Sequence, residues 1–572
     1  MYGIAYTNMD QAAGTSAGKI CCTGRQTMEG TTFYIDGRPY PLTEGQPLKG
    51  YLSDAAGVLC AQANGYVCDL NMLPRKGEEI RLLTLSDKDG FLCYRQTLFL
   101  ILAQAVYDVF GANVVHISRS INKATYVRLS GLCAAQDDAD ARILARMREL
   151  VRLDLPIEKR TVSPQEAYDL FMQERDSVSA DAVKGLARRQ LHLYQIDQKL
   201  FHMTAVLAVR TGVIQTFSFR KYKDGFLLEY PNDTTGGKLP PFSGDIQLFN
   251  LVEQSSIWAD VLSIRQVSDL NQIIRHESSF DMILMQEGLH EKQIAKIADA
   301  IKMGMPAKKV VLISGPSSSG KTTFAHKLGI QLRVNGITPI RISLDDYFVD
   351  LEHALRHEDG TFNFEELESI DYQLFNEHMH ALIRGEEVGI PIFSFTKSRR
   401  LDTVRRLRLR EGQVLIVEGI HALNEKLTAA VDAKHKFKLY CSPITELSFD
   451  ALNPISPTNI RLLRRLVRDY NFRSSSAQNT FELWPSVQKG EVKNIFPYEQ
   501  QADMIFNSSI IYELCVFRRY AEPILRDVQR SSPYYAQAQS LLRILSYCEV
   551  MDDYKIPSTS LIREFIGGSI FS

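Results

Sequence analysis

The chain has 572 residues, 45% of them hydrophobic and 23% charged, with a formal net charge of -1. That composition fits a globular protein of roughly three to four domains. The charge balance excludes a global pull towards nucleic acid or acidic membranes, and no run of about 18 apolar residues exists to cross a bilayer. The nine cysteines are scattered, with no C-x-x-C pair and no histidine at metal-ligand spacing. Reduced thiols and a cytoplasmic location follow from that pattern better than disulfides or zinc. Residues 1–29 are rich in small residues, lack the apolar core of a signal peptide, and are expected to form a flexible N-terminus.

Residues 30–90 read as a small β domain. Thr31–Tyr40 and Cys60–Cys68 each place a two-residue turn, Asp36-Gly37 and Asn64-Gly65, between β-forming runs. Glu79–Leu85 supplies a further strand. Gln96–Phe110 follows as a helix, with Leu98, Leu102, Ala105, Val106 and Phe110 at helical spacing. The run Ala61–Leu70 with Gly77–Ile80 resembles the TGS domain of threonyl-tRNA synthetases. Residues 91–244, with Leu155-Pro156-Ile157 and Val162–Ala167, resemble the editing-type second domain of the same enzymes. The resemblance implies a β-grasp fold, then an α+β domain, and a contact with RNA. It also implies a His-x-x-x-His pair before Leu-Ala-Gln-Ala. Here those two places fall near Gln96 and Leu100, which neither ligate metal nor move protons. Editing hydrolysis is therefore not expected, and His116, His192 and His202 read as structural histidines. Residues 245–304 read as a helical connector with one apolar face, Leu289, Ile294, Ile297, Ala298 and Ile301, and His290-Glu291 reads as charged helix surface.

Val310–Ser314 is a continuous apolar run, the mark of a strand buried on both faces. Gly315-Pro316-Ser317-Ser318-Ser319-Gly320-Lys321-Thr322-Thr323 follows and opens a helix. This is the phosphate-binding loop pattern in its required strand–loop–helix setting. Small residues let backbone N–H groups wrap a polyphosphate, and the helix dipole adds to that attraction. Lys321 is placed to reach the β/γ-phosphates, and the Thr322 hydroxyl to hold Mg²⁺. Further strands at Ile337–Ser343, Val414–Glu418 and Lys436–Cys441 alternate with helices, which predicts a doubly wound parallel sheet over residues 305–545. Asp345 and Glu418 stand at strand tips, where ligands bind such sheets. Residues 546–572 form a tail with a short helix stopped by Gly567-Gly568.

Several motifs together carry a closer resemblance: the loop, Leu344–Phe348, Phe362-Asn363-Phe364, Ile390–Phe393, Val417–Ile420 and Arg461–Asp469. In this order they are similar to the uridine kinase / phosphoribulokinase family. The resemblance implies ATP and Mg²⁺ as cofactors and a nucleoside as acceptor. By it, Asp345 takes the proton of the attacking hydroxyl, with Asp346 as its rival, and Thr322, Glu418 and Asp345 hold the metal. Arg461, Arg464, Arg465 and Arg468 share one helix face, and Arg464 and Arg468 are the catalytic choices. Asp345, Glu365, Phe393 and Arg473 are the acceptor-side choices. The uridine kinases' Tyr, His and Asp places here hold Phe393, Ser398 and Glu365, so the acceptor is open. Phe393 either stacks on a base or packs in the core. The basic stretch Lys397–Arg410 reads as a solvated surface with a phosphate-side edge. Two other readings stand beside the nucleoside kinase: a kinase for another sugar or sugar phosphate, and a nucleotide-gated RNA-binding regulator.

Overall fold

The computed structural model describes residues 32–571, except 53–56, 112–114, 122–123, 131–136, 185, 187, 243, 245, 277, 351–362, 395–398 and 446. Ser398, Lys397, Phe362, His353 and His357 thus lie outside the described residues.

The chain begins with two tight hairpins, β1 (Thr32–Ile35) with β2 (Arg38–Pro41) and β3 (Val58–Ala63) with β4 (Tyr66–Cys68). Asp36, Gly37, Asn64 and Gly65 all take positive φ, as the turns that match strand twist require. Strand β5 (Glu79–Thr84) joins the hairpins into one sheet of order β2-β1-β5-β3-β4, in which only the β1–β5 pair is parallel. Helix α1 (Lys88–Phe110) starts a full two turns before the predicted Gln96. It buries Leu98, Leu102, Ala105 and Val106 as the spacing predicts.

Two antiparallel sheets follow. Strands β6 (Val115–Ile121), β7 (Ala124–Leu129), β11 (Ser218–Tyr222) and β12 (Gly225–Glu229) form one, in the order β11-β12-β7-β6. Strands β8 (Glu158–Val162), β9 (Leu191–Ile196) and β10 (Lys199–His202) form the other. Helices α2 (Ala139–Leu153), α3 (Pro164–Gln173) and α4 (Ser177–Val183) lie between them in sequence. Three helices, α5 (Ile246–Leu262), α6 (Val267–Arg275) and α7 (Ser279–Met303), then lead into the last region.

That region is built on five parallel strands in the order β14-β19-β13-β20-β21. They are β13 (Val310–Ser314), β14 (Thr338–Ser343), β19 (Gln413–Glu418), β20 (Lys436–Ser442) and β21 (Met504–Asn507). The fifth, β21, has only four residues and no alternation to mark it in the sequence. Between β14 and β19 lie α9 (Tyr372–Ile383) and two small hairpins, β15 (Glu387–Ile390) with β18 (Arg405–Arg408) and β16 (Phe393–Ser394) with β17 (Arg399–Arg400). The loop helix is α8 (Lys321–Val334). After β20 come α10 (Pro457–Phe472), α11 (Ala477–Asn494), α12 (Glu513–Arg526), α13 (Tyr535–Leu545) and the short α14 (Arg563–Ile566).

One apolar core runs from Val162 and Phe171 through α7 to Phe324 and Leu328 and on to Phe565. Helix α7 packs along α8, where buried Lys327 pairs with Glu287 at 3.5 Å and Glu291 at 2.9 Å. His290 is not surface: it is 1% exposed, it bonds the Ser509 carbonyl at 2.9 Å, and burial pushes its pKa down to about 3. Its helix is covered by α5 and β21, whose Trp258 and Phe506 rings flank the imidazole. Tertiary packing here overrides the polar look of the dipeptide.

The first half also grips the segment between β20 and α10. The Ile117 N–H bonds the Ala451 carbonyl at 2.8 Å, and Arg119 donates to the carbonyls of Leu447 and Ile455. His202 shares a 2.5 Å hydrogen bond with Asp450, and Thr204 donates to Asn453 Oδ1.

Removing α7 tests the continuity of the core. Ile283, Ile294, Ile297 and Ile301 are fully buried, and at about 1.5–3 kcal/mol per side chain their loss approaches the whole stability of a domain. A 305–572 fragment should aggregate or unfold, whereas a 246–572 fragment should do so less. A monomeric, cooperatively melting 305–572 fragment in sedimentation and thermal scans would refute this.

Candidate active site

Strand β13 delivers the chain to Gly315, and the loop turns back into α8. Gly320 sits at φ +88, and a Cβ there would lie 2.6 Å from Leu561 Cδ2. Glycine is therefore required both by backbone conformation and by the C-terminal segment packed on the loop. Lys321 Nζ donates to the carbonyls of Gly315 at 2.9 Å and Pro316 at 3.0 Å. The Thr322 side chain is exposed. Thr323 gives both its N–H (3.2 Å) and its hydroxyl (2.7 Å) to Glu564 Oε2 of α14. The Ser317 N–H donates to Glu491 Oε1 of α11 at 3.1 Å, and Arg465 donates to Ser317 Oγ at 3.0 Å. Buried Ser318 Oγ has no hydrogen-bond partner in the protein. The loop thus offers donors, three of them now held by carboxylates, which is what a phosphate chain would take.

Asp345 lies in the turn after β14, and Glu418 ends β19 beside it in the sheet. Ser343 Oγ donates to Glu418 Oε1 at 3.1 Å. Burial raises the Glu418 pKa to about 7; Asp345 adds to the shift, while Lys321 opposes it. Burial also raises Asp345, against the pull of Lys321, Arg473 and Arg468. Solvent reaches Asp345, yet protein crowds it, so it lines an open cleft rather than a sealed core. Asp346 is engaged differently: its carboxylate accepts the Phe393 N–H and faces Arg405. Glu365 is raised to about 7, chiefly by burial, with Arg465 and Lys321 opposing and Glu491 and Asp345 reinforcing. Its approach depends on Gly490 of α11, where a Cβ would lie 2.4 Å from Glu365 Cβ.

The arginines of α10 divide into two sets. Arg461 forks onto Glu491 at 2.7 and 2.6 Å. Arg464 forks onto Glu513 at 2.6 and 3.1 Å and donates to the Ser508 carbonyl at 2.8 Å. Arg464 is 0% exposed, so it does not open on the cleft as its place in the stripe predicts. It braces the loop from behind, near the Ser318 carbonyl. Arg465, Arg468 and Arg473 instead gather around Asp469, and Arg468 and Arg473 act on Asp345.

On the acceptor side, Phe393 is buried and its ring lies 5.6 Å from Phe348, which meets Phe364 edge-on at 5.6 Å. Phe364 is the more open of the three. Much of the basic stretch is spent on the hairpins. Arg400 donates to the carbonyls of Phe348 and Tyr347 and pairs with Asp371; Arg406 pairs with Glu387; Arg408 donates to the Gly385 carbonyl. Among the described residues no group of three or more His, Cys, Asp or Glu side chains is arranged to hold a metal alone. Glu491, Glu513 and Glu564 carry no sequence signal, because each finds its partner through tertiary packing; Glu564 and Thr323 are 241 residues apart.

Residues 310–511 match the model of the phosphoribulokinase / uridine kinase family. Over 199 residues the chain is 30% identical to a uridine kinase of Aliivibrio salmonicida, covering 34% of this chain and 84% of that protein. The chain belongs to the phosphoribulokinase / uridine kinase family. A uridine kinase of Chloroflexus aurantiacus is 28% identical over 198 residues, 34% of this chain and 85% of its own. A solved structure of a possible uridine kinase from Bacillus stearothermophilus is 18% identical, covers 38% of this chain and 97% of its own, and has a TM-score of 0.27. These matches span about a third of the chain, so family membership speaks for the P-loop kinase region and supports ATP-dependent kinase chemistry there.

The two sets of arginines should separate on substitution. Arg464→Ala strands a buried Glu513 charge and should cost about 3–5 kcal/mol of stability. Arg468→Ala leaves Asp469 with Arg465 and Arg473 and should cost under about 1 kcal/mol. Urea midpoints of the two variants check this; equal midpoints would refute the bracing role of Arg464.

Proposed function

We propose that this protein transfers a phosphoryl group from ATP, with Mg²⁺, to a hydroxyl of a nucleoside-like acceptor. The convergence of Lys321, Asp345, Glu418, Arg468 and Arg473 in one cleft carries this reading. The residues fit the nucleotide: Ser318 Oγ is an unmet buried polar atom, and the loop N–H groups face acceptors already. Backbone N–H groups of Ser317 to Thr323 would cradle the phosphates once Glu491 and Glu564 give way. Thr322, Glu418 and Asp345 would hold Mg²⁺, which takes one or two carboxylates and completes its shell with phosphates and water. Bound Mg·ATP supplies the phosphoryl group and neutralises part of its charge. Asp345 would take the proton of the acceptor hydroxyl as its oxygen bonds to the γ-phosphorus, while the bond from that phosphorus to the β-phosphate oxygen breaks and ADP leaves. Lys321, Arg468 and Arg473 offset the charge spread over the transferring oxygens, where positioning and electrostatics are most of the catalysis. Phe348, Phe364 and Phe393 form an apolar wall suited to a base, with Glu365 as its polar partner.

A TGS-like, synthetase-related first half is the matching reading for residues 30–244, as a docking rather than an editing module. A second function, nucleotide-gated regulation with RNA as partner, draws on the occupied Ser317 and Thr323 donors, which make nucleotide entry a switch. A cytoplasmic setting fits the unpaired thiols of Cys60, Cys68, Cys93, Cys441, Cys515 and Cys548. Among the described residues no helix is long and apolar enough to cross a membrane.

Incubation with Mg·ATP and a panel of nucleosides, sugars and sugar phosphates should give one phosphorylated product. Lys321→Ala and Asp345→Asn should each lower its rate by at least about 10²-fold, the usual scale for a general base or charge-stabilising donor. ATP binding without transfer to any panel member would sink the kinase and favour the regulator.

The rate should also depend on pH. Glu418 must be ionised to hold the metal, and its pKa stands near about 7. The rate at limiting substrate should therefore rise with pH through about 7, and Glu418→Gln should remove that limb. Stability should run the other way. Glu418 and Glu365 are raised from 4.5 to about 7 in the folded chain. Their contribution is full below the unfolded value and lost as pH rises through about 7. The unliganded protein should melt higher at pH 5 than at pH 8; a double variant with both as Gln that keeps the whole difference would refute the assignment.

A further inference from the structure

A second cavity lies away from the cleft, where the first half meets α12 and α13. It has a volume of about 450 Å³ and is lined by Tyr66, Arg188, Arg518, Arg526, Gln539 and Arg543, among others. Its size is within the range of small-ligand sites. Four guanidiniums reach it against one carboxylate, Glu522, which already pairs with both Arg518 (3.2 Å) and Arg526. Arg188 donates to Tyr547 Oη at 2.9 Å and lies over that ring. Among the described residues, no carboxylate pairs with Arg188 or Arg543. These two act on each other as like charges: crowding and Arg188 together lower the Arg543 pKa. The same field reaches His192, held down to about 4 by burial, Lys159, Arg188 and Arg543. Arg530 bears on Tyr66 as well. In a chain of net charge -1 this concentration is local, not a consequence of composition.

Among the described residues, Arg188 and Arg543 are half-buried without a carboxylate partner, while half-buried Arg518 and exposed Arg526 share Glu522; an anion in the cavity would balance the excess charge, and planar arginine forks match phosphate oxygens. Tyr66, 38% exposed and edge-on to Tyr535 at 6.1 Å, adds an aromatic face at the rim. We propose that this cavity binds a nucleoside triphosphate as an effector, with its phosphates on Arg188, Arg543, Arg518 and Arg526 and its base against Tyr66. The pieces come from both halves of the chain, so the site exists only when they are joined. Helix α12 links it to the cleft: its first residue, Glu513, holds Arg464 under the loop, and its later turns carry Arg518 and Arg526.

Titration calorimetry on the full chain carrying Lys321→Ala, which blunts the phosphate loop, tests the site. GTP and inorganic tripolyphosphate serve as probes. One saturable equivalent of each is expected, weakened at least tenfold by Arg543→Gln and by Arg188→Gln. Tyr66→Ala should weaken GTP but not tripolyphosphate. Arg543→Gln relieves a like-charge contact, so its melting temperature without ligand should not fall, which separates lost binding from lost folding. No saturable binding, or binding unchanged by Arg543→Gln, overturns the site. Tight binding of a labelled single-stranded RNA, lost in Arg543→Gln and not competed by GTP, overturns the small-ligand reading in favour of nucleic acid.

Discussion

Two buried ion pairs behind the phosphate loop set the geometry on which the site depends. Arg464 with Glu513 and Arg461 with Glu491 are each forked and almost wholly out of solvent. Ions taken that deep lose several kcal/mol of hydration each, and the loss is offset only when every donor and acceptor is matched. Carbonyls at Ser508 and Ser318 and the Ser317 N–H complete the matching. The pairs join α10 to α12 and to α11, so they fix the register of three helices where apolar packing alone would tolerate sliding. The loop inherits that register through Glu491 and Arg464.

The entry to the same helix is held by the first half of the chain. Residues 447–455 run into α10, and Ile117, Arg119, His202 and Thr204 clasp them through backbone and side-chain bonds. Asn453 closes the network by donating to the His202 carbonyl and to Asp450. The arginines over the cleft therefore hang from a segment whose polar groups are satisfied across the interface. Replacing His202 or Thr204 with an apolar residue while the halves stay joined would leave Asp450 or Asn453 short of a buried partner, a penalty of about 1–3 kcal/mol for each such group. The contact between the first half and residues 447–455 thus bears on the kinase region through the segment that leads into α10.

Much of this was readable from local chemistry. Val310–Ile313 is buried on both sides, and an unbroken apolar run says so. The loop is legible because wrapping phosphate demands small residues at fixed spacing, and strand tips are where carboxylates meet ligands. The four arginines were not separable. They share one face of α10, and their fates differ only because α11 and α12 cover Arg461 and Arg464 while Arg465 and Arg468 look onto Asp469. Glu564 reads as part of a helix stopped by glycines, and only the packing of Leu561 on Gly320 brings it to Thr323. His290 looks solvated in sequence because periodicity reports one apolar face, and α7 is covered on more than one.

The cleft also shows how one turn assigns two adjacent carboxylates to different work. Asp346 is satisfied by the Phe393 N–H and by Arg405, so it shapes the acceptor wall. Among the described residues Asp345 meets no such donor from the wall; Lys321, Arg473 and Arg468 balance its charge instead, the groups proposed to offset phosphate charge. Glu418 next to it is raised chiefly by burial, and the neighbouring Asp345 carboxylate adds to the shift. Adding a polyphosphate alone would worsen that crowding, whereas a divalent cation relieves it for Asp345 and Glu418 together. On the proposed function, binding of metal and nucleotide would thereby be coupled through charge, with a proton leaving Glu418 as the cation enters. On the proposed reading the cation takes over part of the work that Lys321, Arg468 and Arg473 do for Asp345 in the empty cleft, and so frees those cations to meet the phosphates that arrive with it.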